Sequence, residues 1–178
     1  MILWFYLIFS SPPVILVIDR ACLQEIFYQA QQSYPEECCG LLLGRLVAGD
    51  RRQVEAVRAV TNAWDRVAAE TLGDTTGLTR HRRYSIAPEE MLAVMREARS
   101  QQQDIIGVYH SHPDGVAAPS ECDRQLAWAQ YSYLIVAVQG GAVEVAVHDC
   151  RSWALDTQHQ FQPEPIEISQ PTPQPARM

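Results

Sequence analysis

The sequence predicts a single α/β domain, with helices packed on a curved, mixed β-sheet. Three observations carry that expectation. Short apolar runs of strand length alternate along the chain with longer stretches of helical spacing. A length of 178 residues suits one domain rather than two. Apolar residues make up 47% of the chain, enough to bury a continuous core without disulfides.

Residues 1–13 open with MILWFYLIF, an almost wholly apolar run. No Lys or Arg precedes Arg20, and the run falls short of the roughly 20 residues that span a bilayer. It reads as an added strand or an N-terminal extension outside a functional domain of residues 14–156, with a secretory signal or short anchor as the lesser reading. Residues 14–18 predict a buried strand. Ala21, Cys22, Ile26, Phe27 and Ala30 have the spacing of an amphipathic helix over 20–33, which Pro35 ends. Residues 38–47 form an apolar strand punctuated by Gly40 and Gly44, paired with 54–60 through a hairpin turn at 49–52.

The polar stretch 64–80, with Gly73 and Gly77, reads as a surface loop. Pro88 opens a helix over 88–103, its first turn made favourable by Glu89 and Glu90. A buried strand at 105–109 runs straight into two histidines. Residues 120–130 read as helical, and strands at 133–138 and 142–148 join through Gly140 and Gly141. Residues 157–178, rich in Pro and Gln, read as a disordered tail, and trimming 164–178 together with 1–12 is expected to leave zinc binding and hydrolysis intact.

The net charge of −7 leaves no basic excess to displace counterions from a nucleic acid. The cluster Arg80, His81, Arg82 and Arg83 is too small to reverse that and reads as a solvated patch. Five cysteines (Cys22, Cys38, Cys39, Cys122, Cys150) form no disulfide framework and no C-x-x-C pair. They are expected as reduced thiols in a cytoplasmic, non-membrane protein.

The chemistry centres on His110-Ser111-His112. Side chains at i and i+2 of an extended chain share a face, so both imidazoles can converge on one ion. Asp123 follows within a helix start. Two imidazoles, one carboxylate and an open fourth position form the ligand pattern of a catalytic zinc site, where zinc lowers the pKa of water to about 7. Taken singly, an H-x-H pair is weak, and Ser120-x-x-Asp123 also matches a helix capping box. Combination with an upstream element changes the weight.

That element is Glu37-Cys38-Cys39-Gly40. With His110-Ser111-His112-Pro113, six intervening residues, then Ser120-Glu121-Cys122-Asp123, it resembles the JAMM (MPN+) metalloprotease family, whose pattern is E-x-C-G followed by H-[ST]-H-P-x6-S-x-x-D. The segments PEECCGLLLG and VYHSHPDGVAAPSECDRQLAWAQYSYLIV look like the compact bacterial members. The resemblance implies an MPN-like domain in a cytidine-deaminase-like arrangement. It implies one zinc per chain, held by His110, His112 and Asp123. Glu37, rather than its neighbour Glu36, matches the general base, and Ser120 the residue that stabilises the oxyanion. It further implies hydrolysis of a peptide or isopeptide bond after the C-terminal Gly-Gly of a ubiquitin-like sulfur-carrier protein. A hydrolase of small-molecule amides or unrelated peptides, and a metal-free scaffold, stay as alternatives, as does homo-oligomer formation.

Overall fold

The computed structural model describes residues 14–47, 50–71, 79–140 and 145–170. The expectations for residues 1–13, for Gly49, for Gly73 and Gly77, for 141–144 and for 171–178 lie outside these residues, whereas Arg51 and Arg52, expected in the hairpin turn, begin the strand Arg51–Val60.

The first element, β1 (Ile15–Asp19), runs directly into α1 (Arg20–Ser33), because Asp19 caps the helix: its Oδ1 accepts the Cys22 N–H at 2.7 Å. β2 (Cys39–Val47) and β3 (Arg51–Val60) form an antiparallel pair. α2 (Trp64–Thr71) and α3 (Pro88–Ser100) follow, then β4 (Asp104–Pro113), α4 (Glu121–Leu126), β5 (Ser132–Gly140), β6 (Val145–Leu155), β7 (Phe161–Glu164) and β8 (Ile166–Ser169).

All eight strands belong to one mixed sheet in the order β7-β6-β5-β4-β2-β3-β1-β8. Its central strands are buried on both faces, which is why β2 and β5 read as continuous apolar runs. Alternation along β2 divides the core. Leu42, with the neighbouring Cys38, packs on one face with Ile26 and Ala30 of α1; Cys39, Leu41 and Leu43 pack on the other with Val94 and Ala98 of α3.

The sheet is barrel-like. β7 pairs with β6 at one edge and β8 with β1 at the other, yet only Pro165 separates them in the chain. Arg52 on β3 reaches across to Glu164 on β7, Nη1 to Oε1 at 3.0 Å. Five strand spacings of about 4.8 Å would hold these strands about 24 Å apart in a flat sheet, far beyond an arginine side chain.

This closure corrects the reading of residues 157–178 as a disordered tail. β7 and β8 lie inside that range, and Glu164 is buried. A second correction concerns 64–80: residues 64–71 are the helix α2, not loop. The helix expected over 88–103 ends at Ser100, and the one expected over 120–130 is only the six residues of α4.

Candidate metal centre

His110 and His112 sit near the end of β4, a central strand flanked by β2 and β5. The period of two puts both rings on one face and Ser111 on the other. Ser111 is fully buried, and its Oγ accepts the Cys38 N–H at 2.9 Å, while its own N–H donates to the Cys38 carbonyl at 3.1 Å. That pairing moors Glu37 beside the histidine face. Gly40 is required on packing grounds, since a Cβ there would lie 2.2 Å from the Tyr109 ring.

Asp123 arrives from α4. Ser120 caps this helix in a closed capping box: Ser120 Oγ accepts the Asp123 N–H at 3.2 Å, and Asp123 Oδ2 accepts the Ser120 N–H at 2.6 Å. The cap thereby aims the Asp123 carboxylate. His110 Nε2 and His112 Nε2 stand 3.0 Å apart, at 3.6 Å from Asp123 Oδ1 and 3.7 Å from Asp123 Oδ2 respectively.

These three residues can hold a metal ion, and their donor chemistry fits zinc. His112 Nδ1 lies 2.8 Å from the Val116 carbonyl, which can only accept; the proton therefore sits on Nδ1 and leaves Nε2 as a lone pair facing the cluster. Zinc bonds of about 2.0–2.1 Å in tetrahedral geometry bring ligand atoms about 3.3 Å apart; here each Nε2 has an Asp123 oxygen within 3.7 Å, and one ligand atom from each residue lies within 4.8 Å of the others. His110, fully buried, stacks on Tyr84 with centroids 4.4 Å apart, and its Nδ1 has no hydrogen-bond partner among the described residues.

The electrostatics follow from burial and proximity. Desolvation lowers the His110 pKa, keeping the ring neutral. Burial acts against the Asp123 charge, but His110, His112 and Ser120 hold its carboxyl well below the usual range. Burial likewise lowers His112, but hydrogen bonding to Asp123 and the charge of Glu37 reverse the sign and raise it overall. Burial pushes the Glu37 carboxyl up to about 8, against the pull of His112 and Arg83.

Glu37 and Ser120 line one cleft of about 230 Å³ together with His112 and Pro113. Glu36 turns away, pairing with Arg80 at 3.3 Å. Cys38 and Cys39 are core residues, and burial pushes the Cys38 thiol up to about 11 and Cys39 higher still.

Sequence reasoning missed Asn62, Tyr84 and Val116. Asn62 Nδ2 donates to both the Glu37 and Arg83 carbonyls at 2.9 Å, fastening the Glu37 segment to the loop that carries Tyr84. No motif marks it. A backbone carbonyl such as that of Val116 has no signature at all.

Residues 19–156 match the family model of prokaryotic homologues of the JAB domain. A desampylase from Haloferax volcanii is 36% identical over 107 residues, covering 60% of this chain and 66% of that protein, just under two thirds of its length. A "probable TtuB-protein conjugate cleaving protease" from Thermus thermophilus is 28% identical over 127 residues, covering 71% of this chain and 73% of that one. Among solved structures, a Desulfitobacterium hafniense protein superposes with a TM-score of 0.64 at 25% identity, covering 87% of this chain and 93% of its own. A Salinibacter ruber protein gives 0.61 at 30% identity, covering 88% and 93%. The chain belongs to the prokaryotic JAB (JAMM/MPN+) family.

Proposed function

We propose that this protein is a zinc-dependent peptidase or isopeptidase that cleaves the amide bond after the C-terminal Gly-Gly of a ubiquitin-like, sulfur-carrier-type protein. The observation that carries this reading is the convergence of His110, His112 and Asp123 beside a buried Glu37 and the Ser120 hydroxyl. The names of the two curated relatives, a desampylase and a protease of protein conjugates, support the substrate class.

His110 Nε2, His112 Nε2 and one Asp123 oxygen would hold the zinc. When bound, zinc supplies Lewis acidity, making water ionisable near neutral pH and polarising the amide carbonyl. Glu37 takes the proton of the attacking water on its carboxylate and hands it to the leaving amine; a carboxyl raised by burial can hold that proton near neutral pH. Ser120 Oγ already accepts the Asp123 N–H, so its own proton is free to donate to the oxygen of the tetrahedral intermediate. Diglycine suits the site because Gly has no Cβ to obstruct a narrow cleft.

Localisation in the cytoplasm belongs to this proposal. All five cysteines are free, three of them buried, which suits a reducing compartment. No helix among the described residues is long and apolar enough to cross a membrane.

The test is mass spectrometry of a ubiquitin-like carrier ending in Gly-Gly plus a C-terminal extension, incubated with zinc-loaded protein. Trimming back to Gly-Gly by the wild type and not by Glu37→Gln is expected. Intact carriers alongside turnover of an unrelated small amide would refute the substrate assignment.

A further inference from the structure

The basic run 80–83, which composition marks as a solvated patch, lies at the active cleft. His81, Arg82 and Arg83 line the same cavity as Glu37, His112 and Ser120. The four basic residues are not equivalent. Arg80 is neutralised by Asp65 at 2.8 Å and Glu36 at 3.3 Å, and His81 is tied to the Pro35 carbonyl at 2.9 Å. Arg83 is half-buried, and among the described residues no carboxylate pairs with it. Among the described residues, its side chain donates one hydrogen bond, Nη1 to the Arg82 carbonyl at 2.6 Å. Its position is held from behind, because its own carbonyl accepts from Asn62.

Arg83 also lines a second cavity, of about 250 Å³, that reaches Asp123 and is walled by Tyr84, Ile86, Met91, Trp128 and Tyr131. Arg83 is near enough to Glu37 to pull on its carboxyl but makes no ion pair with it, so its fork, the group best suited to a carboxylate, is left open at the border of an apolar pocket. The diglycine side of the scissile bond has no side chains to place. The apolar pocket is therefore available to the residue that follows the bond, whose α-carboxylate, when that residue is the chain terminus, lies two bonds from the amine being released.

Resting on the peptidase reading above, we propose that Arg83 is a specificity-determining residue: it binds the free α-carboxylate of a one-residue, apolar C-terminal extension whose side chain occupies the pocket of Tyr84, Ile86, Met91, Trp128 and Tyr131. The enzyme then acts as a carboxypeptidase on its carrier, and an extension without that carboxylate is a poorer substrate.

The probes are short synthetic peptides ending in Gly-Gly-Leu, one with a free carboxylate and one as the carboxamide. Binding is measured by calorimetry on full-length, zinc-loaded Glu37→Gln, with and without Arg83→Gln. The free acid should bind about ten- to a hundred-fold tighter than the amide, the range for a charge-assisted pair. Arg83→Gln should bring that ratio close to one at unchanged zinc content, and Arg83→Lys should restore part of it by keeping the charge without the fork.

Equal binding of acid and amide overturns the proposal. So does a preference that survives Arg83→Gln, since the carboxylate would then be read elsewhere. An Asp or Glu side chain is the other source of a carboxylate. Gly-Gly-Asp amide binding as well as the Gly-Gly-Leu acid would also overturn the terminal assignment. The peptidase reading fails separately: if zinc-loaded wild type cleaves neither peptide nor carrier while the Arg83-dependent preference persists, the carboxylate site stands and the hydrolytic function falls.

Discussion

Two glutamates lie equally deep in this fold, Glu37 at 6% exposure and Glu164 at 5%, and burial raises the pKa of both. Their partners differ. Glu164 Oε1 accepts from Arg52 at 3.0 Å and Ser132 at 2.8 Å, and Oε2 accepts from Ser152. Glu37's carboxylate accepts no hydrogen bond from the described residues and opens onto the cleft with His112 and Ser120. A shifted pKa alone would flag both. Satisfied hydrogen-bonding capacity separates them: Glu164 is spent on closing the barrel, and Glu37 is left available for a proton.

Removing the charge of each glutamate in turn should have different consequences. Glu37→Gln should lower kcat by about 10²–10⁴-fold while retaining zinc, the range expected for loss of a general base. Glu36→Gln should stay near wild type, because its pairing with Arg80 is at the surface. Stability gives the opposite sign. Glu37 titrates near 8 when folded and near 4.5 when unfolded. The stability its protonated form contributes is complete below about 4.5 and lost as pH rises through about 8. Across that window Glu37 makes metal-free protein less stable as pH rises, whereas neutral, buried His110 acts the other way, so the difference in melting temperature between wild type and Glu37→Gln should shift against wild type as pH rises. A difference that does not change with pH would show that the carboxyl is not held neutral.

Glu164→Ala should instead destabilise the fold by about 3–5 kcal/mol in urea titration, since it leaves the Arg52 charge buried and unpaired. The folded fraction should keep normal zinc content and kcat. Removing 171–178 should be silent, whereas removing 161–178 should destabilise at least as much as the substitution. A silent deletion of 161–178 would return those residues to the status of a tail.

The contrast also explains what the sequence made legible. His110, His112 and Asp123 were readable because strand periodicity and a helix cap fix their directions locally. Glu37 was separable from Glu36 by the E-x-C-G register. Nothing local announces Glu164: it stands between Pro163 and Pro165, in a segment whose composition argues against strand, and its partners are distant in sequence. β7 and β8 form because two sheet edges need covering, a requirement visible only once the sheet exists. α2 was hidden by a polar, glycine-containing stretch, and Asn62 works through backbone carbonyls, which no side-chain pattern records.

Ser120 offers a smaller effect that separates cap from catalyst within one residue. Loss of the cap alone should cost about 1 kcal/mol. Loss of a hydroxyl donor to the oxyanion should lower kcat by about 10²–10³-fold with zinc in place. Ser120→Asp keeps a capping acceptor and removes the donor, so a stable, zinc-loaded and slow enzyme is expected. Full activity in that variant would leave Ser120 as a cap only.

In the proposed function His110, His112 and Asp123 hold the zinc, and Glu37 serves the site without ligating it. Zinc per chain, measured on purified wild type, His112→Ala and Glu37→Gln dialysed together against the same trace of zinc, addresses it most directly. One zinc is expected in wild type, one in Glu37→Gln and a small fraction of that in His112→Ala. Equal zinc in wild type and His112→Ala, or its loss in Glu37→Gln, would contradict it.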